Sequence, residues 1–239
     1  MVSLVLATAL GFATYLVEQG EPALAVLELQ RELDFNPDAT EARALLFTLD
    51  MRLRRWDDAR RVAVTPLQQA ELAEAEGRYG EAFAAYRLAP ARDFLAFSLR
   101  RRWWAQAEET ATSLGDLDLA RALVAWRAQE RLNPDAAKVM SALLPGAGQF
   151  YAGVPASGWG ALGVNGVMAG VTAWALLRQD WVGAATVLGY GSRYYFGGIQ
   201  HAGRFVELRL DREDDEFVAG LAISRPWLRR PAIIPSERP

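Results

Sequence analysis

Few residues in this 239-residue chain can carry chemistry. His201 is the sole histidine and there is no cysteine, which excludes disulfides, thiolate nucleophiles and multi-histidine metal sites. His201 lies beside Gln200 and Arg204 at the end of an apolar stretch, where a lone histidine reads as an interfacial polar group rather than a base. Asp211 to Glu216 holds five acids in six positions, but lacks the spacing and the glycine of a calcium loop. It reads as the solvated start of a helix. Gly146-x-Gly148 has no lysine-serine or lysine-threonine after it and completes no GxGxxG, so it is not a phosphate cradle. The expectation is no catalysis, no cofactor and no metal. Arg100, Arg101, Arg102 and Trp103 form the one cluster suited to a ligand, an acidic or aromatic one; the competing reading packs the tryptophan into the next helix.

The elements that must position these residues divide by composition. Net charge is −3 and pI about 5.4, so a generally basic nucleic-acid surface is not supported. Residues 1–138 carry 17 basic and 21 acidic side chains, whereas Val139 to Leu177 is 39 residues without a charge. The stretch 139–203 holds 14 of the 20 glycines. Two packing regimes are implied, with a break near Asn133-Pro134, since proline disfavours helix in the residue before it.

The first regime is rich in Ala, Leu, Glu and Arg and reads as short helices. An aromatic followed three residues later by alanine recurs at Trp56/Ala59, Tyr79/Ala82 and Trp104/Ala107, with a weaker copy at Gly20-Glu21-Pro22-Ala23. Alanine lets two helices approach closely, and the aromatic fills the corner of the helix–turn–helix junction. The segment Gly77 to Pro90, with Tyr79, Ala82, Phe83, Tyr86 and Ala89, resembles the second half of a tetratricopeptide repeat, and Tyr15 to Pro37 is similar. The junction spacings depart from that family's regular period of about 34. The resemblance implies degenerate, shortened repeats from about residue 9 to 131, a curved stack of helix pairs whose groove takes a protein or peptide. An irregular helical bundle with alanine-rich contacts is the alternative.

The second regime has membrane proportions. Ala156 to Leu177 is uncharged and about 33 Å long as a helix, enough for a bilayer core of roughly 30 Å. Gly166 and Gly170 form a GxxxG pair suited to close helix packing, and Trp159, Trp174 and Trp181 are placed as interfacial anchors. After the polar turn Arg178-Gln179-Asp180, Trp181 to Ile199 gives a second, poorer span that contains Arg193. Glycine costs about 1 kcal/mol per helical position relative to alanine in water, so a soluble helix this glycine-rich would be weak.

The lead-in Ser141 to Gly153, followed by Gly158, carries P-G-x-G-Q-x-Y-x-G-x4-G through Pro145, Gly146, Gly148, Gln149, Tyr151, Gly153 and Gly158. It resembles the opening motif of small bacterial two-helix membrane-hairpin domains related to the "TM-two" class. Tyr194-Tyr195-Phe196-Gly197-Gly198, with Ala202 and Arg204-Phe205, matches that architecture's tyrosine-rich ending loosely. Pro145 and Gly146 break the helix, and Gln149 and Tyr151 are suited to satisfying backbone groups exposed there.

The expected fold is thus all-α: a tetratricopeptide-like helical-repeat domain at 1–138, a membrane hairpin at 139–205 with spans about 156–177 and 181–199, and at 206–239 a charged helix start with a disordered tail. The expected role is a membrane-anchored interaction scaffold of the bacterial envelope, in the inner membrane. Its partners would be a protein or peptide and the lipid bilayer, with no nucleic acid; the oligomeric state stays open. The alternatives are a subunit or assembly factor packing through the hairpin, or a soluble repeat protein. Arginines flanking the hairpin place its ends in the cytoplasm, while the resemblance allows the opposite face. Met1 to Val17 is uncharged but lacks a basic n-region, and serves equally as a first repeat helix.

Overall fold

A computed structural model describes residues 9–228; the beginning of the uncharged stretch Met1 to Val17 (1–8) and most of the proline-rich tail (229–239) lie outside the described residues. Among the described residues the chain is all-helical, with no strand. It divides into two compact units, with breaks after Arg127 and after Ser224. The first break precedes the Asn133-Pro134 pair. That pair opens a helix: the Asn133 side chain accepts the backbone N–H groups of Asp135 (2.8 Å) and Ala136 (3.3 Å), and Pro134 takes the first helical position.

The first unit contains α1 (Ala9–Glu18), α2 (Pro22–Phe35), α3 (Thr40–Arg52), α4 (Trp56–Val62), α5 (Pro66–Ala75), α6 (Tyr79–Tyr86), α7 (Ala91–Arg100), α8 (Trp104–Ser113) and nearly all of α9 (Leu117–Ala128). From α1 to α8, each helix packs on the next in sequence. Five of the connections share one turn. A left-handed residue (Gly20, Arg54, Gly77, Arg102 or Gly115) donates to the carbonyl three back, and its successor donates to the carbonyl five back. The residue five after the left-handed one is small and buried: Ala25, Ala59, Ala82, Ala107 and Ala120. This geometry corrects one register. The first turn's equivalent is Pro22/Ala25; Ala23 is exposed. The corrected separation from Ala25 to Ala59 is 34 residues.

Local cores fill the space between neighbouring helices. Ala25, Val26, Leu29, Leu46 and Leu49 form one, and Ala70, Ala82, Tyr86 and Phe97 another. Ion pairs link helices distant in sequence. Glu74 on α5 accepts from Arg100 (2.9 Å) and from the Tyr86 hydroxyl (2.8 Å), and Asp116 is held by Arg225 at 2.7 and 2.8 Å.

The second unit contains α10 (Pro134–Leu143), α11 (Ala147–Tyr151), α12 (Pro155–Leu177) and α13 (Trp181–Ser224). The shared turn recurs twice here, at Gly153 with Gly158 and at Gln179 with Ala184. α13 runs 44 residues without interruption, because no proline or capping glycine stops it before Pro226. The acidic run Asp211–Glu216 is therefore mid-helix rather than a helix start. Asp214 is buried there and pairs with Arg131 at 2.6 Å.

α12 is the one helix among the described residues that is long and apolar enough to cross a membrane, with a mean hydropathy of 1.5 over its best window. The second expected span, 181–199, does not reach that standard. Arg193, Tyr190, Tyr194 and the glycines lower its hydropathy, and it continues into a charged segment.

Candidate functional site

The lead-in motif and the tyrosine-rich segment meet. Gly148 donates its backbone N–H to Ser141 Oγ (3.0 Å), Ser141 donates to Gln149 Oε1 (2.9 Å), and Gln149 Nε2 donates to the Gly198 carbonyl (2.9 Å). Ser141 and Gln149 are 2% and 1% exposed, so this chain of hydrogen bonds replaces water for every group it links. The Tyr195 hydroxyl donates to the Ala142 carbonyl, and the Tyr151 hydroxyl accepts the Asn133 backbone N–H at 3.0 Å.

Glycine is required here by close approach. A β-carbon at Gly148 would collide with the Ala137 carbonyl and Ser141 Oγ, and one at Gly146 (φ 95°) with the Gly158 carbonyl. The Phe150 ring lies over Gly158, 2.9 Å from where its β-carbon would be. Pro145 is half-buried ahead of this turn, and Gly153 takes the left-handed position that begins the approach to α12. Around this junction Ala137, Ala152, Ala202 and Val206 form the unit's buried core. The arrangement clamps α10, α11 and α13 together.

Gly166 and Gly170 fall outside this junction. Nothing lies within 4 Å of either position's β-carbon site, so the glycine pair does not pack α12 on α13. Met168 makes one of the contacts between these helices, its sulfur 3.1 Å from the β-carbon site of Gly191. A cavity of about 480 Å³ beside it is lined by Asn165, Met168, Thr172, Val187 and Tyr195.

The Arg100–Trp103 cluster is dispersed. Arg100 is bound to Glu74 and Tyr86, Arg101 lies 3.3 Å over the Tyr79 ring, and Arg102 occupies the left-handed turn position. Trp103 packs edge-on to Phe83 and Phe97, each at 5.2 Å. Burial works against the Arg100 charge, and the Glu74 carboxylate more than offsets it, raising its pKa. Arg100, Arg101 and Trp103 thus make contacts within the fold. His201 is exposed, its ring edge-on to Phe205 at 6.3 Å. Among the described residues, no three His, Asp or Glu side chains are placed to hold a metal ion.

Sequence reasoning missed Asp50. It is fully buried, neither carboxylate oxygen accepts a hydrogen bond, and Arg55 Nε is 3.5 Å away. Burial pushes its carboxyl up to about 6, with Arg55 pulling the other way. The signal was positional: Asp50 lies four residues before a turn residue, where other turns carry Ala73, Ser98, Ala111 and Ala175.

No family model, no curated protein and no solved structure matches the chain.

Proposed function

We propose that this protein is a membrane-anchored scaffold without catalytic activity, docking a protein or peptide through its first unit. Residues 9–127 form degenerate, tetratricopeptide-like repeats in this reading, and the helices α12 and early α13 form a hairpin in a bacterial inner membrane. The observation that carries the anchor is that α12 is apolar yet barely covered by protein: 11% of its most apolar window is buried. Trp159, Val167, Leu177 and Trp181 are all more than half exposed. Apolar surface left open at this scale needs a partner, and lipid fits a helix of 23 residues. For the repeats, the support is one turn geometry recurring with a buried small residue, together with the Ala25-to-Ala59 period of 34.

Alkaline carbonate extraction of membranes from cells making the full chain tests the anchor. The chain is expected in the pellet; release into the supernatant overturns the reading. A second reading, a subunit that packs into a larger membrane complex, is favoured by the open space at Gly166 and Gly170. It predicts co-purification in detergent that Gly166→Leu/Gly170→Leu abolishes.

A further inference from the structure

In the first unit, a pocket of about 390 Å³ opens between α6, α7 and α8, and none of Arg100, Arg101, Arg102 and Trp103 lines it. Its two walls differ in kind. Phe83 and Phe94, with ring centroids 5.4 Å apart, form the apolar wall. Gln106, Glu109, Thr110 and Ser113 form the other, at the i, i+3, i+4, i+7 spacing of a single helix face. Thr110 and Ser113 donate their hydroxyl protons to carbonyls of α8 itself, so Gln106 and the exposed Glu109 are the groups this wall offers to a ligand.

The charges at the mouth are uncommitted. Other arginines of these helices are committed, Arg78 to Glu76 and Glu81, Arg100 to Glu74, and Arg101 to the Tyr79 ring. Among the described residues Arg87 has no carboxylate partner and only the edge of a cation–π contact, 6.0 Å from the Phe83 centroid. Glu109, among the described residues, has neither an ion pair nor a side-chain hydrogen bond. Both are exposed, so their charges meet whatever enters. The volume falls within the roughly 300–1,000 Å³ of ordinary ligand sites.

We propose that this pocket docks an extended peptide in which one apolar side chain is flanked by an acidic residue on one side and a basic residue on the other. The apolar side chain lies against Phe83 and Phe94, the carboxylate meets Arg87 and the cation meets Glu109. Gln106 serves the peptide backbone. This rests on the reading of the first unit as a docking unit and gives that unit a site and a ligand chemistry.

The test uses the full chain in detergent micelles and fluorescein-labelled, end-blocked peptides of the form Asp-Phe-Lys, Lys-Phe-Asp and Ser-Phe-Ser within a Gly-Ser frame, read by anisotropy. One charged order is expected to bind best, and Arg87→Glu or Glu109→Lys to weaken it by about fivefold or more. The double variant Arg87→Glu/Glu109→Lys is expected to prefer the opposite order. Both positions are exposed, and unchanged melting of each variant confirms the fold. Binding that neither single variant alters overturns this site while leaving the docking unit intact. Saturable binding of free phenylalanine in place of the peptides also overturns it. No binding of any peptide, by a chain that still resists carbonate extraction, overturns both the site and the docking reading and leaves the anchor.

Discussion

The two units use the same turn and put it to different ends. In the first, the buried small residue after each turn is alanine, and the helices it joins close over leucines, phenylalanines and tyrosines. In the second, glycine takes that place at Gly158 and alanine at Ala184, a side chain meets backbone directly at Gly158, and large apolar residues of α12 and α13 stay outside. Alanine spacing serves helix pairs in both units, whether or not their outer faces are covered. The glycine at Gly158 adds a closer approach, where the Phe150 ring and the Gly146 turn meet its backbone. Identical local geometry thus supports two packing regimes, and the side chains around the turn decide which.

The contrast is broken most severely at Gly148. Gly148→Ala drives a methyl group into the Ala137 carbonyl and the Ser141 hydroxyl and should cost about 3 kcal/mol or more, read as a large fall in melting temperature in detergent. A melt within a degree or so of the parent protein would show that the α10–α11 approach is slack.

Asp50 sharpens the comparison from the other unit. Its carboxyl is raised from 3.8 to about 6, so the folded state holds the proton more tightly than the unfolded one. Stability is then fully present below about pH 4 and declines as pH rises toward 6. Asp50→Ala, which gives this turn the alanine found at Ala73 and Ala111, should raise stability by about 1–2 kcal/mol at pH 7.5. It should also flatten the decline between pH 4 and 6. Denaturant melts at both ends of that range decide it.

Asp116 runs in the opposite sense. Its hydrogen bonds from Arg225 lower its carboxyl pKa, so their contribution exists above the unfolded carboxylate range and disappears as pH falls through the folded value. Arg225→Ala should cost about 1 kcal/mol at neutral pH and less in acid, measured by the same melts.

The smallest effect belongs to Gly166. Nothing meets a β-carbon there, so Gly166→Ala should leave the melt unchanged or raise stability by about 0.5 kcal/mol through helix propensity. A loss comparable to that of Gly148→Ala would mean that this face is packed.

Much of the helix content was legible from composition, because Ala, Leu, Glu and Arg favour helices independently of context. The aromatic-x-x-alanine copies were legible too, and Trp56, Tyr79 and Trp104 each begin a helix, as does Trp181, a further copy with Ala184 that the sequence search passed over. The copy at Leu117/Ala120 was hidden because leucine replaces the aromatic. Pro22/Ala25 was misregistered because a neighbouring alanine, Ala23, fits the local pattern equally well. Position among other turns identifies it; residue type alone does not.

The sequence by itself determined the helical class, the absence of cysteine chemistry, the change of composition at the start of the glycine-rich half and the places where glycine concentrates. These follow from residue type and spacing, which act locally. Tertiary structure decided which glycines touch anything, that Gln149 reaches Gly198, that α13 does not stop before the acidic run, and that Arg100 pairs with Glu74 while Trp103 packs on Phe83 and Phe97. It also decided that Arg87 and Glu109 share one pocket with Phe83 and Phe94. The physical reason is that a helix fixes its neighbours three and four residues away, whereas contact across 49 residues, as between Gln149 and Gly198, is fixed only when separate helices pack.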